Sequence, residues 1–286
     1  MFKVTANEMV VPNIHRMTVA APEVAQQMKP GQFVIVRAEE DGERIPLSVS
    51  DWDSEAGTLT MFFMNVGQTT NRLTTVPAGT NIPTVVGPLG TPTEIANFGT
   101  VLCLGGCYGI GSIHPIVRAL KAHGNRVITV IEARSSYLLY WEQKLKAESD
   151  EFFVITRDGS RGMRGHVTRL NEIIAASKNP IQRMIINGCT FLSKRGCDIS
   201  RVLKIKTIVS LNPIMIDGTG MCGVCRVSVG GARKFACVDG PDFDGHEVDW
   251  AELLLRRKQY MAEEVLPLRS SRCEDHAPKG EGLTHA

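Results

Sequence analysis

No block of lysines and arginines occurs in this chain: 32 basic residues are scattered against 30 acidic ones, for a net charge of +2. Nucleic-acid binding needs a clustered basic face, so that class is set aside. No run approaches the ~20 apolar residues of a membrane span. The opening MFKVTANEMVVPNIHRM lacks a basic start followed by an apolar stretch, so no secretory leader is expected. These absences point to the cytoplasm, where thiols stay reduced and clustered cysteines mean metal or catalysis more often than disulfides. No internal repeat is present. What is there is an ordinary globular composition, 43% hydrophobic and 22% charged over 286 residues, enough for two modest domains or one large one.

Three rhythms follow one another. Residues 1–97 read as all-β: GQFVIVRA and GTLTMFFMNVG are strand-like, and PAGTNIPTVVGPLG supplies turn chemistry, together suggesting a small barrel or sandwich. Residues 98–210 alternate. Strands are expected at GTVLCLGG, NRVITVIEAR, DEFFVITRDG, RMIING and KTIVSLN. A helix ending on Gly124 is expected over IHPIVRALKAHG, and an amphipathic helix over SYLLYWEQKLKAES. That alternation is the pattern of a doubly wound parallel sheet. Residues 211–268 hold a cysteine loop and then GHEVDWAELLLRRKQYMAEE, helical in its latter half; residues 269–286 form a polar tail expected to be disordered.

LGGCYGIGSIHP places Gly105, Gly106, Gly109 and Gly111 at a strand-to-helix junction. Glycines there let the backbone approach a pyrophosphate, and the helix start offers free N–H groups to it. After the next strand, Glu132 suits a free ribose 2′-hydroxyl, hence NAD, whereas Arg134 suits a 2′-phosphate; an exposed strand-end charge pair is the plain alternative. In ERIPLSVS, Arg44 offers a guanidinium fork for a phosphate and Ser48 a hydroxyl, against the plain reading of an edge strand with a proline. NVGQTTNRL adds Gly67, Thr69 and Thr70 opening a short helix, again suited to a phosphate. VVGPLGTP, with Gly87, reads first as a turn and second as a flavin wall.

Three of the eight cysteines gather in DGTGMCGVCRVSVGGARKFACVDG: Cys222 and Cys225 as C-x-x-C, and Cys237 after a Gly-Gly hairpin. Zinc usually takes a second paired set of ligands, and none stands nearby at the right spacing. His246 is the one neighbouring histidine, in a DGH turn expected at the surface. Sulfide-bridged iron accepts thiolates, and glycines free backbone N–H groups to face the sulfurs. An iron–sulfur cluster therefore ranks ahead of zinc, with [2Fe–2S] the size for one compact loop. The fourth ligand is left among Asp217, Cys189, Cys197 and Cys273. Cys103 and Cys107 read as small buried residues in or beside a strand.

Taken together, RIPLSVS, GGCYGIGSIHP and the run IKTIVSLNPIMIDGTGMCGVCRVSVGG…KFACVDGPDFDGHEVDW resemble the ferredoxin–NADP reductase-like electron-transfer subunits, over nearly the whole chain. Within that superfamily the C-terminal run is most like the small subunits of electron-bifurcating ferredoxin:NADP oxidoreductases. The resemblance implies an FAD-binding barrel, an NAD(H)-binding α/β domain with NADP(H) not excluded, and a C-terminal [2Fe–2S] segment. It maps the cluster ligands to Asp217, Cys222, Cys225 and Cys237 and makes Arg44, Pro46, Leu47 and Ser48 the flavin element, with Leu47 where many relatives carry an aromatic. Ser48 would approach the reactive flavin nitrogen, Arg44 and Gly67–Thr70 the pyrophosphate, and Gly188 and Cys189 the nicotinamide. The four-cysteine spacing of the dihydroorotate dehydrogenase cousins is absent. NGCTFLSKRGCDISRVLK departs from the family pattern and reads as a polar insert.

No general acid or base is needed: a flavin links the two-electron nicotinamide to a one-electron cluster. The implied partner is a larger flavoprotein and iron–sulfur subunit akin to the glutamate synthase small subunit, in a heterodimer serving ferredoxin and NADP. Other partners of the sulfide, sulfite, hydrogenase or dihydroorotate type are the alternative. A zinc-stabilised nucleotide-binding module with no redox role is the distant one.

Overall fold

The computed structural model describes residues 1–260; the end of the cysteine segment, the polar tail and Cys273 lie outside the described residues. Seven antiparallel strands form the first sheet: β1 (Phe2–Val11), β2 (Ile14–Ala20), β3 (Phe33–Arg37), β4 (Ile45–Asp53), β5 (Thr58–Met64), β6 (Asn81–Ile82) and β7 (Thr84–Leu89). Their spatial order is β6-β1-β2-β5-β4-β3-β7. The two edges, β6 and β7, are separated in sequence by Pro83 alone. A chain that reaches the opposite edge in one residue requires a sheet curled back on itself, and this is the expected barrel. Its interior is filled by alternate residues, among them Met17, Val34, Leu47, Val49, Leu59, Met61 and Phe63. The stretch PAGTNIPTVVGPLG, read as turns, contributes β6 and β7 themselves.

The second sheet has the order β11-β10-β9-β8-β12-β13-β16. It comprises β8 (Thr100–Gly106), β9 (Arg126–Ala133), β10 (Glu151–Thr156), β11 (Met163–Arg164), β12 (Ile181–Asn187), β13 (Lys206–Ser210) and β16 (Asp242–Asp244), with the hairpin strands β14 (Arg226–Val229) and β15 (Ala232–Phe235) outside it. All neighbours are parallel except β16, which runs antiparallel to β13, so the sheet is mixed at one edge. Alternation explains the double winding. In β8, Val101 and Cys103 pack into one apolar layer and Leu102 and Leu104 into the other, and β9 does the same with Val127 and Ile131 against Ile128 and Val130.

Helices α4 (His114–Ala122) and α5 (Glu142–Ala147) contribute to one layer, α6 (Leu170–Ala176) and α7 (Thr190–Val202) to the other; α1 (Pro22–Gln27), α2 (Gln68–Thr74) and α3 (Gly109–Ser112) precede them. Helix α4 takes Pro115 in its first turn and closes on Gly124, whose φ of +78° suits a helix-ending glycine. The amphipathic helix expected over residues 136–149 is broken: Trp141 has φ +54°, a 3₁₀ turn precedes it, and only Glu142–Ala147 is α-helical. The cause is tertiary, because the Trp141 ring packs edge-on against Phe62 of the barrel (4.6 Å) and His114 (5.2 Å). The stretch read as a polar insert after Cys189 forms the regular thirteen-residue helix α7. Among the described residues no helix is long and apolar enough to cross a membrane.

Candidate functional site

At the carboxyl ends of β8, β9 and β12 a cavity of about 190 Å³ opens against the barrel. Gly106, Cys107, Glu132, Arg134, Arg157 and Cys189 line it, with Pro12, Ile14 and Met64 on the barrel side. Parallel sheets bind ligands at this end. The glycines bring the walls together. A Cβ on Gly109 would lie 2.0 Å from the Asn187 carbonyl oxygen, one on Gly106 2.5 Å from Leu192, and one on Gly111 2.5 Å from Phe62. Gly105 is packed under α3 in the same way, and Gly188 against Leu192 and Gly106. Beneath the loop the Tyr140 hydroxyl donates to the carbonyls of Cys107 and Tyr108 (3.0 and 3.1 Å) and accepts from Gly111 N–H (3.1 Å). Tyr108 in turn donates to Gly188 O at 2.9 Å and accepts from Asn212. These two tyrosines belong to no sequence motif; tertiary hydrogen bonds alone make them the support of the loop.

Glu132 is 4% exposed, not a surface charge, and its partners are Arg157 (3.6 Å) and His166 (3.7 Å), not Arg134. Burial pushes its carboxyl up, and the Arg157 cation pulls it part of the way back. One oxygen, Oε2, is buried without a partner among the described residues. Arg134 stays exposed at the cavity rim. Cys107 is corrected from buried to exposed, with φ +54° at the start of the loop. Cys189 is the half-buried N-cap of α7.

On the barrel, strand alternation sorts RIPLSVS. Leu47 and Val49 enter the barrel core, while Pro46 and Ser48 are half-buried on the other face and Arg44 is exposed. Farther along that strand, Ser50 is buried under the glycine loop, its carbonyl 3.2 Å from His114 Nδ1. The face carrying Ser48 thus runs toward the second sheet. Helix α2 starts beside Glu43, the residue before Arg44: Thr69 Oγ1 donates to Glu43 Oε2 at 3.4 Å. The Thr70 hydroxyl accepts from Val66 and Gly67 N–H at 3.0 and 2.9 Å, closing the turn. Gly87 lies in β7, where a Cβ would stand 2.7 Å from Val34.

The cysteine loop packs on the barrel. Gly218, at φ +77°, leaves no room for a side chain: a Cβ there would sit 2.8 Å from both Ile35 and Leu89. The Cys225 and Cys237 sulfurs are 3.2 Å apart and unbonded, far beyond a disulfide's ~2.05 Å. Two thiolates on one tetrahedral ion at ~2.3 Å stand about 3.7 Å apart, so a small opening admits one. Burial, then the Cys225 thiol, pushes Cys237 up to about 12, so taking up metal there must release its proton. Cys222 is exposed, and its N–H donates to Asp217 Oδ2 at 2.8 Å. Hydrogen bonds from the Thr219 and Cys222 N–H groups hold the Asp217 carboxyl below its usual range. Among the described residues no three such side chains converge on a single point; a two-iron cluster takes its ligands as two pairs, and the loop offers Cys225 with Cys237, and Asp217 with Cys222. Cys197 is buried in α7 against Gly245, and Cys189 lines the cavity at the end of β12. His246, expected at the surface, is half-buried and bonded to Ser200 at 2.9 Å.

The family model described as the iron–sulfur cluster binding domain of dihydroorotate dehydrogenase B matches residues 212–249. A Thermotoga maritima protein named as a homolog of the dihydroorotate dehydrogenase B (NAD(+)) electron transfer subunit is 46% identical over 247 residues, 86% of each chain. The Bacillus cereus (strain Q1) electron transfer subunit of dihydroorotate dehydrogenase B (NAD(+)) is 31% identical, covering 84% of this chain and 94% of its own. A solved structure of the NADH-dependent reduced ferredoxin–NADP oxidoreductase, studied for flavin-based electron bifurcation, superposes with a TM-score of 0.90 at 40% identity. It covers 95% of this chain and 98% of that one.

Proposed function

The chain belongs to the family of dihydroorotate dehydrogenase B electron-transfer subunits, and from that premise we propose that it moves electrons between NAD(H), a noncovalent FAD and a [2Fe–2S] cluster for a larger catalytic subunit. It is an oxidoreductase subunit of the ferredoxin–NADP reductase-like fold. The observation that carries the reading is one arrangement: a thiol pair with a carboxylate in a glycine loop, laid on the same barrel that walls the cavity. When bound, the flavin accepts electrons in pairs and releases them singly.

The chain's residues divide the remaining work. Residues 1–97 hold the flavin: Arg44 and the start of α2 at Gly67, Thr69 and Thr70 meet its pyrophosphate, Pro46, Ser48 and Gly87 border its ring, and Leu47 backs that strand from the core. Residues 98–210 hold the nucleotide, with Gly105, Gly106, Gly109 and Gly111 admitting its pyrophosphate. Glu132 accepts from an adenosine ribose, and Gly188 and Cys189 border the nicotinamide. A carboxylate in the cavity wall fits a ribose 2′-hydroxyl and repels a 2′-phosphate, which favours NAD(H) over NADP(H). Residues 211–268 hold the cluster through Asp217, Cys222, Cys225 and Cys237.

The finer partner assignment is a bifurcating flavoprotein and iron–sulfur subunit that passes electrons on to ferredoxin and NADP. A carboxylate at Asp217, where the dihydroorotate-type cousins use a fourth cysteine, supports it over a dihydroorotate partner. The test is a visible spectrum of the anaerobically purified protein with iron counted on the same sample. Flavin bands, a broad shoulder and about two irons per chain are expected; a colourless protein with one zinc refutes the reading.

A further inference from the structure

Strands β8 and β12 run in register, Asn187 beside Gly105, and their closeness continues past the strand ends: a Cβ on Gly188 would lie 3.1 Å from the Gly106 carbonyl oxygen. One residue farther along each chain stand Cys107 and Cys189, both free thiols lining the same cavity. Cys107 opens the turn after β8 and Cys189 is the N-cap of α7, so the two thiols flank the point where these neighbouring strand ends meet; a disulfide between them needs a Cα spacing of roughly 4.4–6.8 Å. Cys107 also holds φ +54°, a conformation that glycine adopts without strain, in a loop that uses glycine at Gly105, Gly106, Gly109 and Gly111. A thiol kept at such a position is an observed backbone outlier that calls for a use. Glu132, Arg134 and Arg157 are the charged groups lining the cavity beside the two thiols.

We propose that Cys107 and Cys189 form a reversible dithiol–disulfide pair at the mouth of the cavity, and that the oxidised pair excludes the nucleotide. The oxidant is a low-molecular-weight disulfide. One thiol attacks it, forms a mixed disulfide and releases one small thiol; the second protein thiol then displaces the other. The two protein thiols are oxidised by two electrons in all, the oxidant is reduced to two thiols, and both protons leave on those thiols. The new bond ties the end of β8 to the start of α7, beside Gly106 and Leu192, which pack together in the cavity wall. The pairing itself is independent of the nucleotide reading; the gating rests on it.

The experiment uses the anaerobically purified holoprotein, incubated with oxidised glutathione and mapped by peptide mass spectrometry without reduction, alongside NADH titrations before and after. The expected result is a peptide linking Cys107 to Cys189, NADH bound at least tenfold more weakly, and both changes reversed by dithiothreitol. Cys107→Ser and Cys189→Ser should each lack the linked peptide; if either variant fails to fold, the wild-type map alone decides. Glutathione remaining on either cysteine, or no linked peptide, overturns the pair. A linked peptide with unchanged NADH affinity overturns the gate. A reduced protein that binds no NADH refutes the proposed function and the gate with it, while the linked peptide still decides the pair.

Discussion

Replacing Asp242 with asparagine should flatten the pH dependence of this protein's stability. Asp242 begins β16, shortly after Cys237, and accepts from Thr93 Oγ1 at 2.6 Å. That bond joins the cluster segment to the chain leaving the barrel, where Thr91 also donates to Gly240 O and Val238 O. The other oxygen, Oδ1, is buried without a partner among the described residues. Glu94, Arg183 and Asp244 line the same hollow, and Arg183 is bonded to Glu94 at 2.7 Å. Burial pushes the Asp242 carboxyl from 3.8 up to about 6, with the Thr93 and Ser210 hydroxyls pulling against it. The folded protein therefore binds this proton more tightly than the unfolded chain. The resulting stability is fully present below the unfolded value and is lost as pH rises through the folded one. Two pKa units at ~1.4 kcal/mol each make the loss about 3 kcal/mol. Urea unfolding at steps from about pH 4 to 8, on wild type and Asp242→Asn, isolates it, because every other titrating group is common to both. Wild type should lose about 2 kcal/mol more than the variant across that interval, the remainder having gone below pH 4. Parallel curves would refute the burial argument.

Asp217→Ala should lower the iron content or alter the paramagnetic spectrum of the reduced cluster; an unchanged spectrum and iron count removes Asp217 as a ligand. Gly109→Ala puts a methyl 2.0 Å from Asn187 O; it should destabilise by roughly 1–3 kcal/mol and slow flavin reduction by NADH far more than reduction by dithionite. Asp51 joins the barrel to Arg118 (2.8 Å) and to Lys144, and although burial opposes it, these cations hold its carboxyl below the usual range. Asp51→Asn should therefore cost about 1 kcal/mol at neutral pH and low salt, a difference that vanishes as acid protonates the wild-type carboxylate. Glu132→Gln should raise the NADP(H) to NAD(H) affinity ratio, read by parallel titrations.

The elements legible in the sequence are those whose pattern is set locally. Strands β8, β9, β10, β12 and β13 are short apolar runs with turn residues at both ends, and their burial follows from their own composition. The hairpin at Gly230 and Gly231, both at positive φ, was equally plain because a two-residue turn of that kind demands such residues. What could not be read was set by distant contacts. The helix over residues 136–149 has good helical periodicity and is broken because Trp141 finds Phe62, far away in sequence. Leu47 and Ser48 are adjacent letters in one motif, and only the pleat of β4 separates the core residue from the half-buried one on the opposite face. Glu132 and Arg134 look like a charge pair until the sheet sets Arg157 and His166 against the first of them.

The same reasoning accounts for the path of the chain after residue 211. A cluster loop held only by its own glycines would sit at no fixed distance from a flavin, whatever its cysteines. Here Gly218 seats the loop on Ile35 and Leu89, Thr91 and Thr93 tie Val238, Gly240 and Asp242 to the barrel's exit, and β16 pairs with β13. The loop is thus attached to the barrel and to the second sheet by separate contacts. That is why Asp242, outside every motif the sequence offered, carries a larger expected effect on stability than the half-buried Asp51 with its exposed cations.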